Sequence, residues 1–250
     1  MENYLAFIFD NKIYVTYLME FIAALAGSLF LYKSVSVRKD VLIFVRFLWS
    51  VLIIDILGGY AALAYFDNYE HFVFLKDTVF VRNEWYYNIA EVYFICVYTY
   101  LLREQLSGKK PRNVLKWCIY GYIIFSVLNM FRSENFFNGD MMFNDIVGTF
   151  IILLAVFLYF YEMMISDKVL SFYRKLFFYV AVSISISYLV RVPISIYGAY
   201  VTEKNTEFLE LFYDLIRYSN VYMYSFFAIG FYIYYRNSKK NRLALGVRTT

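Results

Sequence analysis

The sequence predicts an all-α, polytopic membrane protein: a seven-transmembrane-helix bundle with its amino terminus outside and its carboxyl terminus inside. Hydrophobic residues make up 62% of the 250, and mean hydropathy is +0.52, which leaves too little polar surface to coat a soluble globule. Apolar stretches, each close to the ~20 residues that cross ~30 Å of hydrocarbon, recur between short loops. Lysine and arginine gather in every second loop.

The first span, Tyr14–Tyr32, follows a segment with Glu2, Asp10 and Lys12. Its apolar run continues past Ala24-Leu25-Ala26, whereas a cleaved signal peptide wants a basic start and a shorter core, so the helix is read as retained. The remaining spans are Leu42–Tyr65, Tyr86–Leu102, Leu115–Phe131, Ile146–Met164, Leu176–Ala199 and Tyr213–Tyr235. Apolar residues cover all faces of these stretches, unlike the single stripe of a soluble amphipathic helix. Residues 1–235 are thus read as the bundle and 236–250 as a basic cytoplasmic tail. The longest loops, about Phe66–Trp85 outside and Arg103–Val114 inside, are too short to hold a core of their own.

Orientation follows from charge. Lys33, Arg38, Lys39, Arg103, Lys109, Lys110, Arg112, Lys116, Lys168, Arg174, Lys175 and the bases after Tyr235 all fall on one side, against Lys12, Lys76, Arg82, Arg132 and Lys204 on the other. Basic residues in short loops resist translocation, so the richer side is cytoplasmic. Only Asp40, Glu104 and Asp167 oppose the bases there. Two clusters stand out: Lys109, Lys110 and Arg112, and Lys239, Lys240 and Arg242. They serve topology and anionic lipid, or they contact an anionic cytoplasmic partner.

Charges inside the spans are the sharper signal, because an ionisable group in hydrocarbon costs on the order of 2.5–3.5 kcal/mol and normally faces a partner or water. Glu20, Asp55, Glu91, Arg191, Asp214 and Arg217 all fall in the outer half of the membrane or near its middle, and Asp145 caps the outer end of the fifth span. Glu20 shares a face with Ala24 and Gly27, and Asp55 with Gly58, Gly59 and Ala62, so both carboxylates are expected at close helix contacts. Ser183, Ser187, Arg191 and Ser195 recur every four residues and draw a polar stripe, with Pro193 expected to kink the helix. Two readings stay open: an outer polar chamber in which Arg191 faces Glu20, Asp55 or Glu91, or buried ion pairs and serine back-bonds that only specify packing. Asp214 and Arg217, one turn apart, read as a local pair.

Tyrosines such as Tyr14, Tyr65, Tyr86, Tyr87, Tyr200, Tyr213, Tyr234 and Tyr235 lie near span ends and read as an interfacial belt; Tyr98, Tyr188 and Tyr224 sit deeper. Cys96 and Cys118 fall inside spans as small hydrophobes, with no disulfide framework indicated. The last span lacks the lysine a retinal protein needs, and the single histidine, His71, lies in an outer loop without a metal motif. No phosphate loop, nucleophile elbow or dinucleotide fingerprint occurs, and only Pro193 interrupts a span, where transporters use broken helices. No enzyme activity, cofactor or metal is expected.

The run Glu20-Phe21-Ile22-Ala23-Ala24-Leu25-Ala26-Gly27, the segment Ser166-Asp167-Lys168-Val169-Leu170-Ser171-Phe172 leading into Leu176-Phe177-Phe178-Tyr179, and Arg191-Val192-Pro193-Ile194 resemble a family of small, tyrosine-rich seven-helix membrane proteins of Bacteroidota. The resemblance implies a multi-pass protein of a bacterial inner membrane and carries over no site residues. Function is expected in one of two classes. The first is a non-enzymatic sensory or signalling protein that binds a ligand in the outer chamber and acts on a cytoplasmic partner. The second is an oligomeric channel or pore-forming effector, of the kind used in cell defence, gated by an anionic cytoplasmic signal.

Overall fold

In the computed structural model, residues 2–198 and 206–244 are described; side chains at 2, 167–170, 194–198, 206–209, 212 and 240–244 are outside the description. Among the described residues the regular structure is entirely helical, with no strand. The helices are α1 (Glu2–Asp10), α2 (Ile13–Lys33), α3 (Lys39–Gly58), α4 (Tyr60–Phe66), α5 (Glu84–Arg103), α6 (Lys109–Arg132), α7 (Asn135–Asn138), α8 (Met142–Met164), α9 (Leu176–Gly198) and α10 (Thr206–Ala244), with short 3-10 turns at Val73–Leu75 and Asp167–Arg174.

Among the described residues, five segments are long and apolar enough to cross a membrane: Ile13–Lys33, Lys39–Phe66, Lys109–Arg132, Met142–Met164 and Leu176–Pro193. The other two expected spans are long helices, α5 with 20 residues and α10 with 39, but tyrosines and charges lower their apolarity. Large apolar side chains point away from the bundle, among them Leu18 and Leu29 on α2, Ile53 and Leu57 on α3, Ile124 and Leu128 on α6, and Phe150 and Phe157 on α8. So much exposed apolar surface suits lipid as the solvent.

Helices α2, α3, α5, α8, α9 and α10 form a closed ring in which each packs on the next and α10 returns to α2; α6 lies outside it against α5 and α8. Phe44, Phe47, Phe227 and Phe231 fill the ring's interior, none more than 2% exposed. Phe44 meets Phe227 edge-on at 5.2 Å and stacks on Phe231 at 5.6 Å, while Phe47 meets Tyr98 edge-on at 4.9 Å. Close approach depends on glycine: a Cβ at Gly27 would lie 2.8 Å from Val45 Cγ2 and 3.0 Å from Phe231 Cζ, so α2 nests against α3 and α10 only because that atom is missing.

Three elements differ from the sequence reading. The segment before the first span is itself helical, and α1 is held by tertiary packing: Phe7 lies 5.2 Å from Phe66 of α4. The second span is interrupted at Gly59, where α3 ends and α4 begins. Carbonyls left open in the last turns of α3 are taken by side chains: Tyr86 Oη donates to Ile54 O at 3.0 Å, Tyr17 Oη to Asp55 O at 3.3 Å and Asn83 Nδ2 to Gly58 O at 2.7 Å. Helix α10 runs on through Arg236 to Ala244, so the first residues of the expected tail continue the last helix.

The two ends of the bundle are built differently. At one end Tyr60 Oη sits 2.8 Å from Phe80 O and 2.7 Å from Arg82 O, tying the long loop to α4, and Arg217 Nη1 donates to Asn11 O at 3.4 Å across the α1–α2 turn. His71 donates its backbone N–H to Asp67 Oδ2 at 2.8 Å, and that bond, with its ring beside the carboxylate, holds Asp67 below the usual aspartate range. At the other end Arg38 reaches Asp40 Oδ2 at 2.5 Å and donates to Gln105 Oε1 at 3.0 Å. Glu104 pairs with both Arg103 and Arg112 there. Glu162, counted from sequence as part of a span, accepts the Gly108 N–H at 3.3 Å at the start of α6, adding an acid to the basic end.

Candidate functional site

The closed ring leaves a large cavity, of about 650 Å³, toward the end that holds α1, α4 and α7. Each of five ring helices contributes to its wall. Asp55 comes from the last turn of α3, Asn88, Glu91 and Tyr98 from α5, Asp145 and Thr149 from the first turns of α8, Tyr188 and Arg191 from α9, and Asn220 and Tyr224 from α10. Asp140 stands exposed at the rim, in the loop between α7 and α8.

Arg191 joins three helices at the cavity wall. Its Nη1 lies 3.7 Å from Glu91 Oε2 on α5, its Nη2 donates to Asn220 Oδ1 on α10 at 2.9 Å, and the guanidinium covers the Tyr188 ring at 5.5 Å. Its Nε is buried, with no hydrogen-bond partner among the described residues. The sequence offered Glu20, Asp55 or Glu91 as the partner, and the structure selects Glu91. Carboxylates outnumber cations in the described lining, since Asp55, Glu91, Asp140 and Asp145 face a lone guanidinium. Among the described residues no cluster of three or more His, Cys, Asp or Glu could hold a metal ion.

Glu20 is 1% exposed and stands on α2 beside Asp55 and Tyr224, behind the cavity wall; among the described residues neither carboxylate oxygen has a partner at hydrogen-bond distance. Its helical face with Ala24 and Gly27 is buried as the small-residue spacing implies.

The polar stripe on α9 divides in two. Arg191 lines the cavity, whereas Ser183 and Ser187 lie below it, both 0% exposed. Ser183 Oγ donates to Val180 O at 3.0 Å, a back-bond within α9, and Ser187 Oγ to Ser219 O of α10 at 3.4 Å. The packing reading therefore describes the lower half of the stripe. The Ser195 side chain is outside the described residues, and α9 continues as a helix through Pro193 to Gly198. Beneath the cavity, Tyr98 meets Tyr188 at 6.3 Å and Phe227 at 6.3 Å, and the layer of Phe44, Phe47, Phe227 and Phe231 closes the ring's centre.

Four asparagines outside the expected site residues organise this end of the bundle. Asn88, 8% exposed, donates through Nδ2 to Phe136 O at 3.1 Å and Gly139 O at 3.0 Å and accepts the Met141 N–H at 3.2 Å, clamping the rim loop onto α5. Asn129 Nδ2 donates to Asn144 Oδ1 at 2.8 Å, joining α6 to α8, and Asn220 orients Arg191. Neutral amides carry no charge signal; an amide inside an apolar run is the sequence feature that marks them. Tyr86 and Tyr87, expected in an interfacial belt, turn inward: Tyr86 bonds to Ile54 O and Tyr87 lines the cavity. Tyr65 and Tyr213 stand exposed as a belt requires, and Tyr200 is outside the described residues. Asp214 and Arg217 form the expected local pair.

At the opposite end, Lys109, Lys110 and Lys239 are exposed, Arg112 is half-committed to Glu104 at 2.9 Å, and the side chains of Lys240 and Arg242 are outside the described residues. The first cluster stands on α6, which packs on α5 and α8, and the second on α10, which packs on α9 and α2.

Comparison with protein families, curated proteins and solved structures finds no match for this chain.

Proposed function

We propose that the chain is a seven-helix, non-enzymatic sensory protein of a bacterial inner membrane, with its amino terminus outside. It binds a small polar ligand in the outer cavity and acts on a separate cytoplasmic partner. The carrying observation is that the cavity is roomy and polar at one end and sealed at the other: Arg191 bridges α5 and α10 at the wall, while Ser183, Ser187 and four phenylalanines are packed beneath it. A blind chamber suits binding, whereas a conduit through one copy would need the lower stripe to meet water.

Signal transfer follows from which helices the ligand would touch. Arg191 and Asn220 stand on α9 and α10, and α10 carries Lys239 to the basic end. A ligand that competes with Glu91 or Asn220 for the guanidinium changes the α5–α9–α10 contacts, and this differential contact can shift α10 at its far end. The excess of carboxylates favours a ligand with a cationic group. The exposed bases Lys109, Lys110 and Lys239 then meet an anionic partner surface.

The alternative class, a pore built between several copies, is separated by conductance. Purified protein reconstituted in liposomes should pass no ion current above the lipid background, with or without an added polyanion on the basic side. A reproducible current that depends on protein would overturn the sensory reading.

A further inference from the structure

A second cleft, of about 360 Å³, opens on the flank of the bundle between α3, α5 and α6. Its walls are apolar, from Ile43, Cys96, Val97 and Ile119, and its edge carries Arg103 and Lys116. Arg103 is already engaged by Glu104 and by the carbonyl of Arg112, at 3.0 Å. Lys116 is exposed; its Nζ lies 5.8 Å from the Tyr120 ring centroid, and among the described residues no carboxylate reaches it.

Arg46 adds an independent observation. It stands three residues beyond Ile43 on α3, about one turn from the cleft's α3 wall, and it is exposed on an apolar helix. No described carboxylate lies within ion-pair distance of it either. Seven residues separate it from Lys39 at the start of α3, which places its Cα about 10 Å into the bundle from that end. An arginine there reaches a headgroup by extending along the helix, and without an anion it remains an uncompensated charge at the edge of hydrocarbon.

We propose that this cleft holds an anionic phospholipid, one acyl chain lying against Ile43, Val97 and Ile119 while the phosphate is bridged by Lys116 and Arg46. A soluble anion would satisfy the two cations but leave the apolar slot unfilled; a neutral lipid would fill the slot but leave the excess positive charge uncompensated. The proposal needs the bilayer placement of the bundle and is independent of the outer chamber and of which end is cytoplasmic. Lipid held there would brace α6, which packs outside the ring against α5 and α8.

The test uses the full-length protein in detergent micelles with an equimolar mixture of phosphatidylglycerol and phosphatidylcholine, read by native mass spectrometry. The expected result is one phosphatidylglycerol retained per chain, at least fivefold over phosphatidylcholine. The double variant Arg46→Gln, Lys116→Gln should lose that preference. Both positions are exposed, so folding should survive, and an unchanged elution profile and helical content check this. Val97→Trp should fill the slot and lower retention without changing charge, whereas Lys33→Gln, at the same end of the bundle but on α2, should leave it intact. Equal retention of the two lipids, retention in the double variant, or an equal loss in Lys33→Gln would overturn the proposal. Full retention in Val97→Trp would do so too, because the slot would then be irrelevant.

Discussion

Arg191 is the residue on which the chamber depends. Its guanidinium makes separate contacts with Glu91, Asn220 and the Tyr188 ring, the first two through different Nη atoms of the planar fork. Arg191→Leu removes the sole cation from a described lining that holds Asp55, Glu91, Asp140 and Asp145, so it should lower stability by on the order of 2 kcal/mol. Arg191→Lys keeps the charge near Glu91 and loses only the bond to Asn220, and should cost less than half as much. Detergent melting curves of the two variants check the order; equal melting temperatures would show that the ion pair contributes nothing. Glu20 is the counterpart. Its carboxylate is buried beside Asp55 and Tyr224 without a hydrogen bond among the described residues, an arrangement that charge pattern and small-residue spacing located on the right face but could not pair.

At the level of the element, the helices were legible wherever apolar length decided the outcome. The five segments apolar enough to span coincide with predicted ones, because lipid demands that backbone groups be satisfied within the helix. What escaped was set by tertiary contact. Nothing in the local sequence of residues 2–10 says that Phe7 will pack on Phe66, and the break at Gly59 is stabilised by Tyr17, Asn83 and Tyr86 reaching in from two other segments. The α9 stripe has perfect four-residue spacing, yet spacing cannot say where water stops; the phenylalanines from α3 and α10 decide that. Gly27 gives the element-scale prediction. Gly27→Leu forces side-chain atoms into Val45 and Phe231 and should destabilise the α2–α3–α10 contact by about 1–3 kcal/mol, whereas Gly121→Leu, whose Cβ would meet open space, should be near neutral. Comparable losses at both glycines would contradict the ring packing.

For the whole molecule, the closed ring with α6 outside it explains why one chain can hold a cavity at one end and a solid core at the other. The exposed bases Lys109, Lys110 and Lys239 and the carboxylates that line the cavity lie at opposite ends, so the ligand and the partner proposed above would not compete for one surface. Helix α10 connects the two, from Asn220 at the chamber to Lys239 at the basic end. Over that distance, ~1.5 Å per residue for 19 residues, a rigid helix can carry a tilt of about one side-chain contact.

The central claim, an outward-opening chamber with a sealed base, is tested most directly by thiol accessibility in intact cells. In a Cys96→Ala, Cys118→Ala background, cysteine is placed singly at Thr149 and Asn220 in the chamber wall and at Ser187 and Ser183 beneath it, and a small membrane-impermeant thiol reagent is added outside. Thr149→Cys and Asn220→Cys should react within minutes, while Ser187→Cys and Ser183→Cys should stay unmodified until the protein is denatured. Modification of Ser183→Cys from outside, or protection of both wall positions from the external reagent, would contradict the account.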